Sequence, residues 1–302
     1  MVEGIQTIGV IGLGMMGGGI AKNLASAGFD TVGVDASEQA RRTAASDGVR
    51  LAEGGRALAD TSPDAVMVVV RTDDQVRDAL FGEDGVAAGL RPGVPVIVAS
   101  TVSPTTMTEI SGDLRAEGLA PIGAGLSGGP WGAQAGTLTW AVAGSAADVV
   151  RVRTIFESTG TELHVVGEDP PMAHAAKLAV QLIYGVNMLG VFEALRLGTA
   201  FGIAPDELVR VLTHSVADSW VARNWPHVEE YWRGAGNGLD ILVKDMRAAT
   251  RQADALELSL PVTALSFDLM RSAWSAFGGT IPLRSEPAPD PEPWARRPRA
   301  AG

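Results

Sequence analysis

The chain has 302 residues, enough for two domains with separate hydrophobic cores. A formal net charge of −11 at pH 7 argues against binding to nucleic acid or to an anionic membrane surface. The sequence contains no cysteine, which excludes disulfide bonds and thiolate metal sites and is typical of a cytoplasmic protein. The four histidines lack metal-ligand spacing, so we predict no metal site.

The first predicted elements form a nucleotide site. A β-branched run at residues 5–11 predicts a strand, which is followed directly by a turn with the sequence Gly12-Leu13-Gly14-Met15-Met16-Gly17. A helix candidate then extends to Gly28, and a second strand ends at Asp35. In such a unit the glycines allow a tight turn, close approach of a pyrophosphate and close packing of the helix on the strand. This order of elements predicts a dinucleotide cofactor.

Asp35 bears on the choice of cofactor. A carboxylate at this position accepts hydrogen bonds from the adenosine ribose hydroxyls and repels a 2′-phosphate, which favours NAD over NADP. Arg41 and Arg42 follow closely and could bind a phosphate, so NADP remains the second candidate.

The next strands place two side chains at the expected cofactor edge. Apolar runs at residues 65–70 and 94–99 are typical of buried parallel strands. Because ligands of an open parallel sheet lie beyond the carboxyl ends of its strands, Arg71 and Thr101 are candidate binding residues. Thr101 could also cap a helix that begins near Pro104, a role that can coexist with a ligand contact.

A glycine-rich segment lies in the middle of the chain. Residues 123–130 read GAGLSGGP, which predicts a loop rather than a regular element, followed by a strand at 137–143. Consecutive glycines let main-chain N–H groups converge on an anion, such as a substrate carboxylate. A flexible connection without a ligand is the alternative.

A long apolar helix is predicted from Pro171 to Ala200. It is apolar on almost every face, which favours burial. Lys177, Glu193 and Arg196 interrupt the run, so burial between domains or subunits explains it better than a membrane span.

Lys177 is unusual in this helix. The chain has only three lysines, Lys22, Lys177 and Lys244, among 24 basic residues. A lysine in apolar surroundings can give up its proton and act as an acid or base, whereas an arginine cannot. The alternative is a structural lysine that pairs with a carboxylate. Gln181 lies one turn later and could contact the same ligand.

Four ordered motifs resemble those of the β-hydroxyacid dehydrogenases, the family of 3-hydroxyisobutyrate dehydrogenase and tartronate semialdehyde reductase. The resemblance covers residues 5–283. The motifs are GLGMMGGGIAKNLASAG at 12–28, STVSP at 100–104, LSGGPWGAQAGTL at 126–138, and the helix with Lys177 followed by Lys244-Asp245.

The resemblance assigns roles to individual residues. It implies that Lys177 is the catalytic acid/base and that Lys244 lies at the nicotinamide end of the cofactor. The substrate carboxylate is expected at Ser127, Gly128 and Gly129, with Gln181 orienting the hydroxyl. Further cofactor contacts are expected at Val70, Arg71, Gln75 and Thr101. The implied reaction is hydride transfer between NAD, or NADP, and a small hydroxy acid that carries a carboxylate.

Two departures from the family pattern keep alternatives open. The loop begins Gly123-Ala124-Gly125-Leu126 where the family usually has Asp-Ala-Pro-Val, and Val180 stands where an asparagine is common. One alternative is a catalytically silent dinucleotide-binding protein. The other is an imine or amine reductase of the same superfamily, although those enzymes typically carry Asp or Tyr in place of Lys177.

The expected architecture is an α/β protein. It consists of an N-terminal Rossmann-type doubly wound sheet and an all-α C-terminal domain joined by the long helix. We predict a NAD(P)-binding domain at 1–165, a helical substrate and dimerisation domain at 166–283, and a disordered proline-rich tail at 284–302. The resemblance implies a homodimer or homotetramer formed through the helical domain.

Overall fold

The computed structural model describes residues 4–232 and 238–276. The chain divides into two compact units, the first ending at Lys177 and the second beginning at Leu178. The predicted disordered tail at 284–302 lies outside the described residues.

The first unit contains an eight-stranded sheet in the order β3-β2-β1-β4-β5-β6-β7-β8. All neighbouring strands are parallel except β6 and β7, which are antiparallel. The strands are β1 Thr7–Ile11, β2 Asp30–Val34, β3 Arg50–Leu51, β4 Ala65–Val68, β5 Pro95–Val98, β6 Ala120–Ser127, β7 Leu138–Ala143 and β8 Gly160–Gly167. The helices of this unit are α1 Met15–Ser26, α2 Glu38–Ser46, α3 Gly55–Asp60, α4 Asp73–Phe81, α5 Pro104–Ala116, α6 Gly129–Ala135 and α7 Ala146–Glu157.

The core of this unit lies on both faces of the sheet. Every residue of β4 and β5 is buried, as expected for parallel strands covered by helices on two sides. Successive side chains alternate between the faces, so Met67 and Ile97 belong to one apolar cluster and Val68 and Val98 to another. The predicted Rossmann-type sheet is confirmed.

The second unit is helical in its described residues, which confirms the predicted fold class. Helix α8, Pro171–Ala200, has the predicted bounds and extends into this unit from the first. The later helices are α9 Pro205–Thr213, α10 Trp220–Arg223, α11 Trp225–Trp232, α12 Gly238–Ala255 and α13 Pro261–Ala276. Their core includes Met188 and Leu195 of α8 together with Trp225, Met246 and Met270.

Helix α8 is buried along one stripe rather than on every face. By length and composition it could cross a membrane, but a single such helix is weak evidence. Only 33% of its most apolar 18-residue stretch is buried within the chain. Ile183, for example, is 62% exposed. The expected burial on all faces is therefore not provided by the described chain alone.

The glycine-rich segment at 123–130 is not a loop, so that prediction was wrong. Strand β6 continues to Ser127, and α6 begins at Gly129. A Cβ atom on Gly123 would lie 2.1 Å from the carbonyl oxygen of Pro170, at the start of α8. Glycine is required here because a helix end approaches the strand backbone, and not because the chain turns.

Candidate active site

The glycine turn between β1 and α1 is tightly packed and uses a backbone conformation that favours glycine. Gly12 has a φ of +95°, and a Cβ atom on it would lie 2.2 Å from the carbonyl oxygen of Val69. A Cβ on Gly17 would lie 1.8 Å from the carbonyl oxygen of Gly12. By contrast, a Cβ on Gly14 would meet nothing within 4 Å. The turn is therefore closely packed at Gly12 and Gly17 and open at Gly14, the position expected to face a pyrophosphate.

The N-terminus of α1 fits an anionic group. Gly14 is the N-cap residue and supplies no side-chain hydrogen bond, and the described first turn carries no acidic residue. Met15 is 51% exposed, whereas Leu13 is buried in the core and Met16 packs against it. The first N–H groups of this twelve-residue helix thus lack a side-chain acceptor of the kind that usually caps a helix. The residues present fit the phosphates of a dinucleotide.

Asp35 lies against the same turn. Its carboxylate accepts hydrogen bonds from the backbone N–H of Leu13 at 2.6 Å and of Ser37 at 2.7 Å. Arg41 donates to the carbonyl oxygen of Asp35 at 3.0 Å, and Arg42 pairs with Glu38 on the same helix. Both arginines therefore have partners within this region, and the carboxylate is oriented by backbone donors.

Hydrogen bonds order the backbone of the segments that follow β4 and β5. The N–H of Val70 donates to Ser100 Oγ at 2.8 Å. Gln75 Oε1 accepts hydrogen bonds from the N–H groups of Arg71, at 3.0 Å, and of Thr72, at 3.3 Å. Together with the Thr72 hydroxyl these bonds form a capping box at the start of α4. Gln75 is thus in part a structural residue that orders the backbone of the predicted cofactor loop.

Thr101 follows β5 and is partly buried. The N-cap of α5 is Ser103, whose hydroxyl accepts a hydrogen bond from the N–H of Thr106 at 3.0 Å. The alternative role of Thr101 as the helix cap was therefore wrong, and a ligand contact remains its predicted role.

Lys177 lies on the face of β6 that leads to Ser127. A Cβ atom on Gly125 would lie 2.9 Å from Lys177 Cβ and 2.8 Å from the carbonyl oxygen of Ala173. Because side chains alternate along a strand, Ser127 is on the same face as Gly125, about 7 Å further along. Leu126 points the other way, into the core. The structure thus brings the helix lysine next to the strand that ends in the Ser-Gly-Gly sequence.

The glycines after Ser127 adopt conformations that other residues rarely reach. Gly128 has a φ of +129° and Gly129 a φ of +62°. The indole of Trp131 lies beside them, with Cε3 3.4 Å from the position of a Cβ on Gly129. Trp131 is 45% exposed, so its ring forms part of the surface next to this loop.

His174 lies on α8, one turn before Lys177. It is 1% exposed, and neither ring nitrogen has a hydrogen-bond partner among the described residues. Burial lowers the pKa of His174 to about 4. The imidazole is therefore neutral at pH 7.

The second unit contains a polar cluster of Gln181, Lys244 and Asp245, in which Gln181 and Asp245 are buried. Gln181 Nε2 donates to Asp245 Oδ2 at 2.6 Å, and Lys244 Nζ lies 3.3 Å from Asp245 Oδ1. Asp245 is 1% exposed, and burying a carboxylate is costly unless polar or charged groups lie beside it, as these two do. From the sequence, Asp245 is recognisable only as part of the Lys244-Asp245 motif. An acidic residue at a buried position of an otherwise apolar helix face was the available signal.

Among the described residues, no group of three or more His, Asp or Glu side chains could bind a metal ion.

Comparison with known proteins covers most of the chain. Residues 7–167 match the family model described as the NAD binding domain of 6-phosphogluconate dehydrogenase. Residues 172–281 match the model described as NAD-binding of NADP-dependent 3-hydroxyisobutyrate dehydrogenase.

Two curated relatives have similar lengths. The chain is 32% identical over 270 residues to L-threonate dehydrogenase of Escherichia coli K12, covering 89% of each protein. It is 31% identical over 275 residues to NAD-dependent L-serine dehydrogenase of Pseudomonas aeruginosa, covering 88% of this chain and 92% of that protein.

Solved structures agree with these matches. A crystal structure of 3-hydroxyisobutyrate dehydrogenase from Salmonella typhimurium has a TM-score of 0.81 and 32% identity, covering 90% of this chain and 95% of that one. An imine reductase from Pseudomonas sp. has a TM-score of 0.65 and 16% identity, covering 92% and 96%. The second likeness concerns the fold alone.

Proposed function

Because the chain belongs to the 3-hydroxyisobutyrate dehydrogenase family of NAD(P)-dependent oxidoreductases acting on hydroxy acids, we propose that Lys177 is the general acid/base of its reaction. When bound, the nicotinamide accepts or returns the hydride. In oxidation the Lys177 amine takes the hydroxyl proton as the hydride leaves the carbinol carbon and the carbonyl forms. In reduction the ammonium returns that proton to the new alkoxide.

One observation carries this proposal. Lys177 packs against β6 at Gly125, on the face that leads to Ser127, so closely that a Cβ atom on the glycine would lie 2.9 Å from Lys177 Cβ. A lysine on that face can reach a hydroxyl whose carboxylate is anchored at the end of the strand. We assign the carboxylate to Ser127, Gly128 and Gly129, which agrees with the positive φ angles of the two glycines.

Two residues of the second unit complete the assignment. Gln181 lies one turn after Lys177 on α8, and its bond to Asp245 fixes the direction of its carboxamide. This supports a role in orienting the substrate hydroxyl. Lys244 is assigned to the nicotinamide end of the cofactor on the family resemblance.

The proposed cofactor site follows the glycine turn. The pyrophosphate lies at the N-terminus of α1, and Asp35 accepts hydrogen bonds from the adenosine ribose, which favours NAD over NADP. Residues that follow β4 and β5 supply the remaining contacts, namely Val70, Arg71, Gln75 and Thr101.

The proposed substrate is a small hydroxy acid with a carboxylate. Relatives at 32% identity are L-threonate dehydrogenases, so L-threonate is the first compound to test. The exposed indole of Trp131 beside Gly129 gives this loop an aromatic surface that a larger side group could contact.

The proposed assembly is a cytoplasmic homodimer or homotetramer formed through the helical unit, with no nucleic acid or membrane partner. Its support is a stripe of exposed apolar residues on α13, which are Val262, Leu265 and Leu269. Ile183 adds a further exposed apolar side chain on α8.

The test is reduction of NAD and of NADP, measured separately, by the purified protein with a panel of hydroxy acids. The panel contains L-threonate, L-serine, 3-hydroxyisobutyrate, D-glycerate and 4-hydroxybutyrate. Turnover of at least one acid, with NAD used more efficiently than NADP, is the expected result. Cofactor binding without turnover of any acid would favour the silent dinucleotide-binding protein. Absence of cofactor binding would contradict the proposed site.

A further inference from the structure

Asn23 connects two helices that begin at the two proposed ligand loops. It lies in α1, and its Nδ2 atom donates to the carbonyl oxygens of Ala133, at 2.8 Å, and Gln134, at 3.4 Å, in α6. The same nitrogen donates to Gly19 of its own helix at 2.8 Å. One side chain of the cofactor helix therefore caps the C-terminus of another helix.

This cap matters because α6 is only seven residues long. The last four carbonyl groups of a helix receive no hydrogen bond from an N–H group within the helix. In a helix of seven residues, most of the carbonyl groups therefore need a donor from outside it. The carbonyl of Gly132 is satisfied locally by the N–H groups of Gly136 and Thr137. The next two carbonyls receive their hydrogen bonds from Asn23. The short helix is thus completed by a residue more than 100 positions away.

Backbone contact reinforces the connection at Gly19. A Cβ atom there would lie 2.7 Å from the carbonyl carbon of Ala133 and 2.8 Å from the N atom of Gln134. These are backbone atoms, which cannot yield as a flexible side chain would. The two helices therefore touch at a point that admits no side chain.

We propose that Asn23 is a positioning residue that fixes the Ser-Gly-Gly loop relative to the cofactor turn. Helix α1 begins at Gly14 of the turn, and α6 begins at Gly129 of the loop. Joining the two helices sets the distance between the groups at their N-terminal ends without contact to either ligand. The inference rests on the proposed function, which assigns the cofactor to one end and the substrate carboxylate to the other.

The first test uses amide hydrogen exchange with NAD⁺ as the only probe. In the wild-type protein we expect NAD⁺ to slow exchange in peptides covering residues 12–24 and also in those covering 129–138. Asn23→Ala and Gly19→Ala break the connection by different means, one by removing the donor and the other by adding a methyl group. Both are expected to keep the protection at 12–24 and lose it at 129–138.

Ser158→Ala is the matched control, since it removes a side-chain bond to the carbonyl of Thr154, four residues earlier, elsewhere in the same unit. It should behave as the wild type. Protection of 129–138 that persists in Asn23→Ala overturns the inference while leaving the proposed function intact. Wild-type protein in which NAD⁺ fails to protect 12–24 overturns both.

The second test is kinetic and uses L-threonate, unlabelled and deuterated on carbon. Asn23→Ala should lower kcat/KM by about 10-fold to 100-fold and raise the primary isotope effect, because a displaced substrate makes hydride transfer slower. The dissociation constant of NAD⁺ should not change. A variant that only melts at lower temperature, with wild-type kinetics and isotope effect, contradicts a positioning role. If wild-type protein does not oxidise L-threonate, that substrate assignment fails and the exchange experiment decides the inference.

Discussion

Gly125 lies close against Lys177: a Cβ atom on the glycine would lie 2.9 Å from Cβ of the lysine. The same atom would lie 2.8 Å from the carbonyl oxygen of Ala173, so a side chain at position 125 must displace α8 or the strand. The position of the proposed acid/base thus depends on the absence of one methyl group in β6.

Gly125→Ala is therefore expected to lower kcat by about 10-fold to 100-fold, because a shift of the lysine by roughly 1 Å is enough for such a loss. Steady-state kinetics and the dissociation constant of NAD⁺ provide the measurement, and the latter should not change. Gly112→Ala is the control, since a Cβ at Gly112 meets nothing within 4 Å. Equal activity of the two variants would show that the activity of Lys177 does not depend on its close approach to β6 at Gly125.

Lys177→Ala and Lys177→Arg are both expected to lower turnover by about 10²-fold to 10⁴-fold. Arginine keeps the positive charge but cannot give up its proton, so it should not restore activity. NAD⁺ binding, measured by fluorescence titration, should remain. Loss of binding along with turnover would assign the lysine a structural role. Reductive turnover of an imine that survives Lys177→Ala would favour the imine reductase alternative.

Asp35→Asn is expected to weaken NAD⁺ binding and to reduce the preference for NAD over NADP. A hydrogen bond to a charged group contributes about 1.5–3 kcal/mol, so an increase of roughly 10-fold or more in the NAD⁺ dissociation constant is expected. The amide removes the charge that repels a 2′-phosphate, so NADP⁺ binding should fall less. Titration with both cofactors gives the ratio. An unchanged ratio would remove Asp35 from cofactor selection.

His174 predicts a pH dependence of stability. Its pKa is about 4 in the folded chain and 6.5 in the unfolded one, so the unfolded chain binds more protons between these values. Above about pH 6.5 the buried His174 does not reduce the free energy of unfolding. As the pH is lowered from 6.5 toward 4, this one group lowers the free energy of unfolding by about 3 kcal/mol. Urea unfolding at several pH values measures this loss.

His174→Leu is the matching variant. It should flatten the pH dependence between 6.5 and 4, and it removes two buried nitrogens that lack partners among the described residues. An unchanged slope in the variant would show that other groups cause the loss.

Leu265→Glu is expected to dissociate the proposed oligomer, because it places a charge in the exposed apolar stripe of α13. Sedimentation velocity measures the assembly state. Val150→Glu, at an exposed apolar position of α7 in the first unit, is the control and should leave it unchanged. A wild-type protein that sediments as a monomer would contradict the proposed assembly directly.

Local patterns were sufficient to predict part of this molecule. The glycine turn and Asp35 follow a fixed spacing, and the apolar run of α8 marks its own bounds. Lys177 is predicted to be catalytic because lysine is rare in this chain and because the motifs match a family. The first two of these signals lie within about 30 consecutive residues, whereas the case for Lys177 draws on the whole chain.

The remaining features depend on contacts between distant segments. Glycines at 123 and 125 usually indicate a loop, but here they allow α8 to approach a strand about 50 residues earlier in the chain. The bond of Asn23 to Ala133 and that of Gln181 to Asp245 join residues 110 and 64 positions apart. The two-residue edge strand β3 is too short to produce a pattern of its own.

The bond from the Leu13 N–H to Asp35 has a consequence for the evolution of cofactor preference. The residue proposed to discriminate between the cofactors also accepts a hydrogen bond from the backbone of the glycine turn. A descendant that exchanged Asp35 for a neutral, shorter residue would leave the Leu13 N–H without its acceptor. Adaptation to the phosphorylated cofactor is therefore expected to need two changes, one that removes the carboxylate and one that supplies a new oxygen to Leu13. The order of these changes would matter, since the first alone weakens the turn for either cofactor.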